Sequence, residues 1–162
     1  MQQFDLIIIG GGPGGYLCAE RAGKAGLRTA LLEKRALGGT CLNEGCIPTK
    51  SLLYCAKQYQ TMLHCDEYGI AAQNVSYDHA AAVVRKDGIV QTLVRGVGVS
   101  MKKHGVAVFS TEGKITGKTG DLFTVSAGAE SLFAPRLVLA SGSSAVVPPI
   151  PGVRDGLASG FV

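Results

Sequence analysis

The chain has 162 residues, of which 46% are hydrophobic and 17% charged, and its formal net charge is +4. This length and balance suit one folded domain with a sizeable core. The absence of a dense basic stripe argues against nucleic-acid binding, and no apolar run is long enough to cross a bilayer. No export signal precedes the five cysteines, so we expect a cytoplasmic protein rather than an extracellular disulfide scaffold.

The start of the chain predicts a βαβ unit. Residues 4–9 form a nearly continuous apolar run, which is typical of a strand buried on both faces of a parallel sheet. A glycine-rich turn follows at residues 10–15, and residues 16–25 have helical spacing. Residues 29–32 form a second apolar strand that ends at Glu33. The unit has the expected length for this motif.

The rest of the chain adds helices, buried strands and a small meander. Helices are predicted at residues 49–63 and 77–103, buried strands at 106–109 and 137–140, and short strands at 114–116, 122–126 and 131–134. Gly88, Gly96 and Gly98 weaken the prediction that the second helix is unbroken. Residues 153–162 contain no recognisable element. The fold class is therefore α/β, a Rossmann-like domain whose parallel sheet is flanked by helices, with a small antiparallel β-meander.

The glycine-rich turn has the spacing of a dinucleotide-binding loop. Gly10, Gly12 and Gly15 fit G-x-G-x-x-G between a predicted strand and a predicted helix, where free N–H groups favour phosphates. Glu33 stands at the end of the next strand, where a carboxylate can accept a hydrogen bond from a ribose hydroxyl. A glycine turn without a ligand is the alternative. The motif does not distinguish FAD from NAD, although an acidic residue argues against a 2′-phosphate.

Two cysteines, Cys41 and Cys46, lie five positions apart after this unit. On a regular helix this spacing gives about 7.5 Å of rise, whereas a disulfide needs α-carbons about 4.4–6.8 Å apart. A bridge would therefore need a distorted turn, for which Gly45 offers freedom. Lys50 is placed to stabilise a Cys46 thiolate. Two inert buried cysteines, or a zinc site completed by His64 and Cys65, are the alternatives.

Three stretches resemble the flavin-dependent disulfide oxidoreductases, also called class I pyridine nucleotide-disulfide oxidoreductases. They are the glycine turn with Glu33, the block G-G-T-C-L-N-E-G-C-I-P-T-K at residues 38–50, and A-S-G-S at residues 140–143. The resemblance implies a redox-active Cys41–Cys46 disulfide, in which Cys41 meets the substrate and Cys46 faces the flavin. It implies FAD contacts from Gly10, Gly12, Pro13, Gly14, Gly15, Glu33, Lys34, Gly39, Thr40, Lys50, Gly113, Ser141, Gly142 and Ser143.

The resemblance also implies an activity. The variants at residues 42–43 and 47–50 are nearest to family members that oxidise dihydrolipoamide and pass electrons through FAD to NAD. Such members are homodimers that serve lipoyl carrier domains of 2-oxo acid dehydrogenase or glycine cleavage complexes. Enzymes that act on glutathione disulfide or mercuric ion, and a non-catalytic dinucleotide-binding module, are the alternatives.

The resemblance covers only the first part of such an enzyme. We expect an FAD-binding domain with the redox disulfide at residues 1–152 and a linker at 153–162 toward an NAD-binding domain that lies outside this chain. The chain therefore has the pattern of a truncated enzyme, which we expect to be inactive alone. No second G-x-G-x-x-G follows Gly142.

Overall fold

A computed structural model describes residues 2–161 of the chain. Its strands are β1 (Gln2–Gln3), β2 (Leu6–Ile9), β3 (Thr29–Leu32), β4 (Ala107–Phe109), β5 (Gly113–Thr119), β6 (Leu122–Ala127), β7 (Glu130–Ala134) and β8 (Leu137–Leu139). Its helices are α1 (Pro13–Lys24), α2 (Gly39–Asn43), α3 (Cys46–Leu63), α4 (His79–Lys103) and α5 (Val153–Ser159), with a short 3-10 helix at Cys65–Tyr68. The predicted α/β class is confirmed.

A four-stranded parallel sheet forms the centre of the fold. Its strand order is β4-β3-β2-β8, so the first apolar strand of the βαβ unit lies inside the sheet. Ile7, Ile8 and Leu31 are completely buried. Because both faces of these strands are covered, their sequences are apolar throughout rather than alternating.

The two faces of the parallel sheet pack against different layers. On one face, Ile8 and Leu31 contact a cluster that includes Ala19 of α1 and Met101 of α4. On the other face, Ile7 and Leu32 belong to a cluster with residues of β6 and β7. The molecule therefore has three layers, with helices on one side of the parallel sheet and a second, mainly antiparallel sheet on the other.

The second sheet contains the predicted meander and one further strand. Its order is β1-β7-β6-β5, in which β5, β6 and β7 are antiparallel neighbours. Strand β1 pairs parallel to β7, with Gln2 opposite Leu132. The sequence pattern did not predict β1, since two residues are too few to show a period.

Several helices differ from the predictions: α1 begins at Pro13 instead of residue 16, and the short α2 was not predicted. Helix α3 begins at Cys46, three residues earlier than predicted, and it accommodates Pro48 in its first turn, where backbone N–H groups have no partner within the helix. Helix α4 is unbroken despite its glycines, and its first turn is capped by Asp78, whose carboxylate accepts from the Ala81 N–H at 3.0 Å. The prediction of no element after residue 152 was wrong, because Val153–Ser159 is helical.

The topology brings the ends of three parallel strands to one edge of the sheet. Gly10 follows β2, Glu33 follows β3 and Ala140 follows β8. Ligands of open parallel sheets bind outside such carboxyl ends. Within residues 2–161, no helix is both long enough and apolar enough to span a membrane.

Candidate active site

The glycine turn after β2 is packed too closely to tolerate side chains at two positions. A Cβ added at Gly10 would stand 2.2 Å from the Ala140 carbonyl oxygen, and one added at Gly15 would stand 1.7 Å from the Gly10 carbonyl oxygen. Gly10 also has a φ of +106°, which L side chains rarely adopt. These two glycines bring α1 directly against the ends of β2 and β8, as the sequence motif predicted.

The first turn of α1 leaves its backbone donors free for a ligand. Gly12 caps the helix without a side-chain hydrogen bond, and no acidic residue lies in the first turn. Pro13 occupies the first helical position, where its missing N–H costs nothing. Unpaired N–H groups and the positive end of the helix dipole favour a phosphate at this point.

Glu33 is oriented by two backbone N–H groups. Its Oε2 accepts from the Gly11 N–H at 2.7 Å, and its Oε1 accepts from the Arg35 N–H at 2.7 Å. A carboxylate has about four acceptor sites, so both oxygens retain capacity for a ribose hydroxyl. The hydrogen bond to Gly11 joins this carboxylate to the glycine turn, which makes the two parts of the motif one structural unit.

A cleft of about 650 Å³ lies over these groups. This volume is within the range of ordinary small-molecule sites, roughly 300–1,000 Å³. The predicted site residues on its wall are Gly12, Pro13, Gly14, Glu33, Lys34, Gly39, Thr40, Cys41, Ser141, Gly142 and Ser143. The structure therefore brings together the glycine turn, the acidic strand end, one cysteine and the segment after β8.

The other predicted residues do not line the cleft. Gly10 and Gly15 are the first and last residues of the turn, and they are not on the cleft wall. A Cβ at Gly113 would stand 2.9 Å from Leu32 Cδ2, so that glycine has a packing role against β3. Lys50 and Cys46 lie on α3 outside the cleft wall, and Cys46 is exposed. Their flavin contacts remain predictions.

The two cysteines lie on either side of a break between α2 and α3. Cys41 belongs to α2, which ends at Asn43, and Cys46 is the first residue of α3. The Glu44 and Gly45 N–H groups both donate to the Thr40 carbonyl, at 2.9 and 2.7 Å. The predicted distortion between the cysteines is thus confirmed, because the helical chain is interrupted at residues 44 and 45. Both thiols are free in this structure, so the disulfide itself remains a prediction.

The neighbouring Cys46 changes the acidity of the Cys41 thiol. The pKa of Cys41 is raised, first by the hydrogen bond to the Cys46 side chain and then by desolvation and the Cys46 charge. The positive charge of Lys50 and the backbone N–H of Cys46 oppose this shift. The Cys41 thiol therefore keeps its proton to a higher pH than an isolated cysteine does. The different roles expected of Cys41 and Cys46 remain predictions.

Sequence reasoning missed several residues on the cleft wall, notably Arg35, Asn43 and Glu44. Asn43 Nδ2 donates to the Leu37 carbonyl at 3.1 Å and to the Gly39 carbonyl at 2.9 Å, which ties α2 to the loop after β3. Glu44 forms an ion pair with Arg35. The sequence does show polar residues, Asn43 and Glu44, between the two cysteines. It does not show which residues they contact, because those contacts depend on the tertiary structure.

The zinc alternative is not favoured by the arrangement of ligand residues. His64 and Cys65 follow the carboxyl end of α3, whereas Cys46 begins it. A helix of this length separates the two ends by roughly 25 Å. Among residues 2–161, no three His, Cys, Asp or Glu side chains form a group that could hold a metal ion.

Comparison with known proteins identifies the family. The family model described as pyridine nucleotide-disulphide oxidoreductase matches residues 4–161. The chain belongs to this family, which confirms the resemblance found in the glycine turn and the cysteine block. FAD and NAD(H) are the cofactors of the family.

Individual relatives agree with this assignment. The chain is 43% identical over 162 residues to the dihydrolipoyl dehydrogenase of Acholeplasma laidlawii, covering 99% of this chain and 47% of the relative. It is 44% identical over 150 residues to that of Pseudomonas aeruginosa, covering 90% and 32%. A solved structure, the Cu(II) complex of the HOCl-induced flavoprotein disulfide reductase RclA from Escherichia coli, matches with a TM-score of 0.73 and 28% identity, covering 94% of this chain and 31% of that one. The chain thus spans 31% to 47% of the length of these proteins.

The residues of the cleft fit the dinucleotide part of FAD. A pyrophosphate needs a close approach of the backbone, which Gly10 and Gly15 allow, and free N–H groups, which the start of α1 offers. A ribose needs an acceptor, which the oriented Glu33 carboxylate provides. Cys41 stands on the same wall. The arrangement can therefore hold a dinucleotide beside a pair of thiols.

Proposed function

We propose that this chain is the FAD-binding, dithiol-bearing part of a dihydrolipoamide dehydrogenase. The observation that carries the proposal is the position of Cys41 on the wall of the nucleotide cleft, separated from Cys46 only by the break between α2 and α3. The names of the relatives from Acholeplasma laidlawii and Pseudomonas aeruginosa support the choice of dihydrolipoamide as substrate.

In the proposed reaction, the two cysteines exchange a disulfide with the substrate. One thiolate of dihydrolipoamide attacks the Cys41 sulfur of the Cys41–Cys46 disulfide, and Cys46 leaves as a thiolate. The second lipoyl thiolate then displaces Cys41, so that lipoamide carries the disulfide and the protein carries the dithiol. Two electrons have moved from substrate to protein. Cys41, whose pKa is raised by the Cys46 side chain, takes up one of the two protons that the lipoyl thiols release on becoming thiolates.

The other residues of the site bind and orient. Gly12 and the open first turn of α1 would hold the pyrophosphate, and Glu33 would accept from the ribose. Bound FAD would supply two-electron redox chemistry that connects the dithiol to NAD. We propose that Lys34, Lys50, Gly113 and residues 141–143 complete its contacts.

The proposal extends to the whole protein. We propose a cytoplasmic homodimer whose partner is dihydrolipoamide on a carrier domain of a 2-oxo acid dehydrogenase or glycine cleavage complex. The boundary between residues 152 and 153, followed by an NAD-binding domain, belongs to the same proposal. The length of the relatives supports a larger enzyme.

The test is an anaerobic titration of the FAD-loaded protein with dihydrolipoamide, followed by flavin absorption. We expect the flavin band to bleach in the natural protein and in Cys55→Ser, whose thiol is on α3 outside the cleft. Cys41→Ser should bind FAD but resist bleaching. Normal bleaching in Cys41→Ser, or failure of the natural protein to bind FAD, would contradict the proposal.

A disulfide reductase with a soft-metal or glutathione substrate is the second candidate. The RclA structure to which this chain is similar is a copper(II) complex of a flavoprotein disulfide reductase, and paired thiols are suitable ligands for soft metals. Oxidation of the reduced flavoprotein by Cu(II), Hg(II) or glutathione disulfide, with no response to dihydrolipoamide, would favour this candidate.

A further inference from the structure

The turn between the two cysteines contains a charged residue that reaches across the cleft. Glu44 lies between Cys41 and Cys46, and its carboxylate forms an ion pair with the Arg35 guanidinium. Arg35 belongs to the loop after β3, two residues beyond Glu33. Both members of the pair line the cleft. The ion pair therefore connects the nucleotide-binding edge of the sheet to the thiol-bearing turn.

At one end of this connection, Arg35 is attached to the glycine turn through Glu33. The Arg35 N–H donates to Glu33 Oε1 at 2.7 Å, and Glu33 Oε2 accepts from the Gly11 N–H at 2.7 Å. The guanidinium thus extends from a backbone that is already fixed against the end of β2. An ion pair anchored in this way loses less side-chain freedom than one between two mobile residues.

At the other end, Glu44 belongs to the turn that brings the sulfurs together. Its backbone leaves the helical region, with a φ of −131°, and its N–H donates to the Thr40 carbonyl. Two residues later, Cys46 begins α3, and its side chain is the main influence on the pKa of the Cys41 thiol. A displacement of Glu44 therefore shifts Cys46 relative to Cys41. A disulfide tolerates only a narrow range of α-carbon separations, so ring closure depends on this turn.

We propose that Arg35 and Glu44 are positioning residues for the dithiol, because their ion pair holds the turn in the conformation from which Cys41 and Cys46 close to a disulfide. The inference rests on the proposed function only in taking this dithiol as the redox group. The two side chains are 71% and 45% exposed. The expected effect is therefore modest, about two- to fivefold in the equilibrium constant for ring closure.

The experiment measures that equilibrium constant in mixtures of glutathione and glutathione disulfide. On closure, the two cysteine thiols lose two electrons and two protons, and one glutathione disulfide becomes two molecules of glutathione. Free thiols are trapped with an alkylating reagent. The fraction of disulfide is then obtained from the mass of the peptide that contains Cys41 and Cys46, measured by mass spectrometry. Arg35→Gln and Glu44→Gln should each lower the constant two- to fivefold, and the exchanged pair Arg35→Glu/Glu44→Arg should recover most of the loss.

The matched control is Glu112→Gln. It breaks a neighbouring exposed ion pair in which Lys34 Nζ lies 3.1 Å from Glu112 Oε1. It should leave the equilibrium constant unchanged. Unfolding midpoints in urea, measured for every variant, separate loss of positioning from loss of fold.

The direction of the effects distinguishes positioning from a simple charge effect. A charge effect would move the two single variants oppositely, because Glu44→Gln would leave a positive charge that stabilises the reduced thiolate and Arg35→Gln would leave a negative one. The inference would be overturned if the equilibrium constants of the two single variants shifted in opposite directions, or if they equalled that of the natural protein. It would also be overturned if the exchanged pair lost as much ring closure as the single variants.

The equilibrium requires neither FAD nor dihydrolipoamide, so the two proposals fail separately. Loss of ring closure in both single variants, together with a flavin that dihydrolipoamide does not bleach, would overturn only the proposed function. Unchanged constants together with normal bleaching would overturn only the positioning role.

Discussion

The carbonyl oxygen of Gly10 occupies the space that a side chain at Gly15 would need, since a Cβ there would stand 1.7 Å from that oxygen. The obstacle is backbone, so it cannot move aside as a flexible side chain would. The approach fixes the distance between α1 and β2, and with it the position of the free N–H groups at the start of the helix.

We therefore expect Gly15→Ala to weaken both the fold and nucleotide binding. The free energy of unfolding should fall by about 1–3 kcal/mol, as for other overpacked sites, and FAD affinity should fall because the helix start is displaced. Urea unfolding and quenching of FAD fluorescence measure the two effects. Gly88→Ala in α4 is the control, because its Cβ would meet open space, and it should raise stability by up to about 1 kcal/mol. Natural stability and FAD binding in Gly15→Ala would contradict this account.

Glu33→Gln should reduce FAD affinity by about tenfold or more. The substitution keeps one acceptor oxygen but removes the charge that strengthens the hydrogen bonds to Gly11 and to a ribose hydroxyl. The dissociation constant for FAD is obtained by titrating flavin fluorescence. Glu130→Gln, which removes an exposed carboxylate on β7 outside the cleft, should bind FAD normally. Equal affinity in both variants would remove Glu33 from the binding site.

Cys46→Ala should lower the pKa of Cys41. The largest cause of the raised pKa, the hydrogen bond to the Cys46 side chain, is lost, while the positive charge of Lys50 remains. Cys41 should then form its thiolate at a lower pH than in the natural protein. The rate of Cys41 alkylation as a function of pH, read by mass spectrometry, reports this pKa. A profile shifted to higher pH would show that the two thiols do not share a proton.

Glu20 should contribute stability that depends on pH. Its pKa is lowered from 4.5, first by the hydrogen bond with Lys24 and then by that with Ser100, whose Oγ lies 2.7 Å from Glu20 Oε2. A lowered folded-state pKa means that the stabilisation is present above pH 4.5 and is lost as the pH falls through the folded value. Urea midpoints of the natural protein and Glu20→Gln should therefore differ at neutral pH and converge in acid.

Ser100→Ala provides the matched comparison for that titration. It removes the second cause of the lowered pKa and leaves the pair with Lys24, so its difference from the natural protein should be smaller than that of Glu20→Gln. A difference between the natural protein and Glu20→Gln that grows as the pH falls would show that the sign is wrong.

The parts of the fold that follow from local rules could be predicted from the sequence. The strand before Gly10, the glycine turn and the strand before Glu33 each depend on neighbouring residues, and the structure has all three. The sequence did not clearly predict that α4 is unbroken, because each glycine inside a helix lowers the stability of that helix. Its glycines at 88, 96 and 98 face open space, and the burial of Met101 offsets their cost.

The features that were missed depend on residues far apart in the chain. Strand β1 exists because Gln2 lies opposite Leu132, and the Arg35–Glu44 ion pair exists because two loops meet over the cleft. The start of α3 at Cys46 depends on how the preceding turn is tied to Thr40. None of these contacts produces a periodic pattern in the sequence. The spacing of the cysteines therefore indicated the pair but not the contacts that fix its conformation.

The position of β2 has a consequence for synthesis on the ribosome. One edge of this strand pairs with β8, whose residues Leu137–Leu139 are made about 130 residues later than β2. Strand β3 can cover the other edge early, because it follows after a single helix. Until β8 emerges, an apolar strand of the nascent chain has an open edge, and such edges are prone to pairing with other chains. The strand β2 is thus enclosed on both edges only after about 130 further residues have been translated.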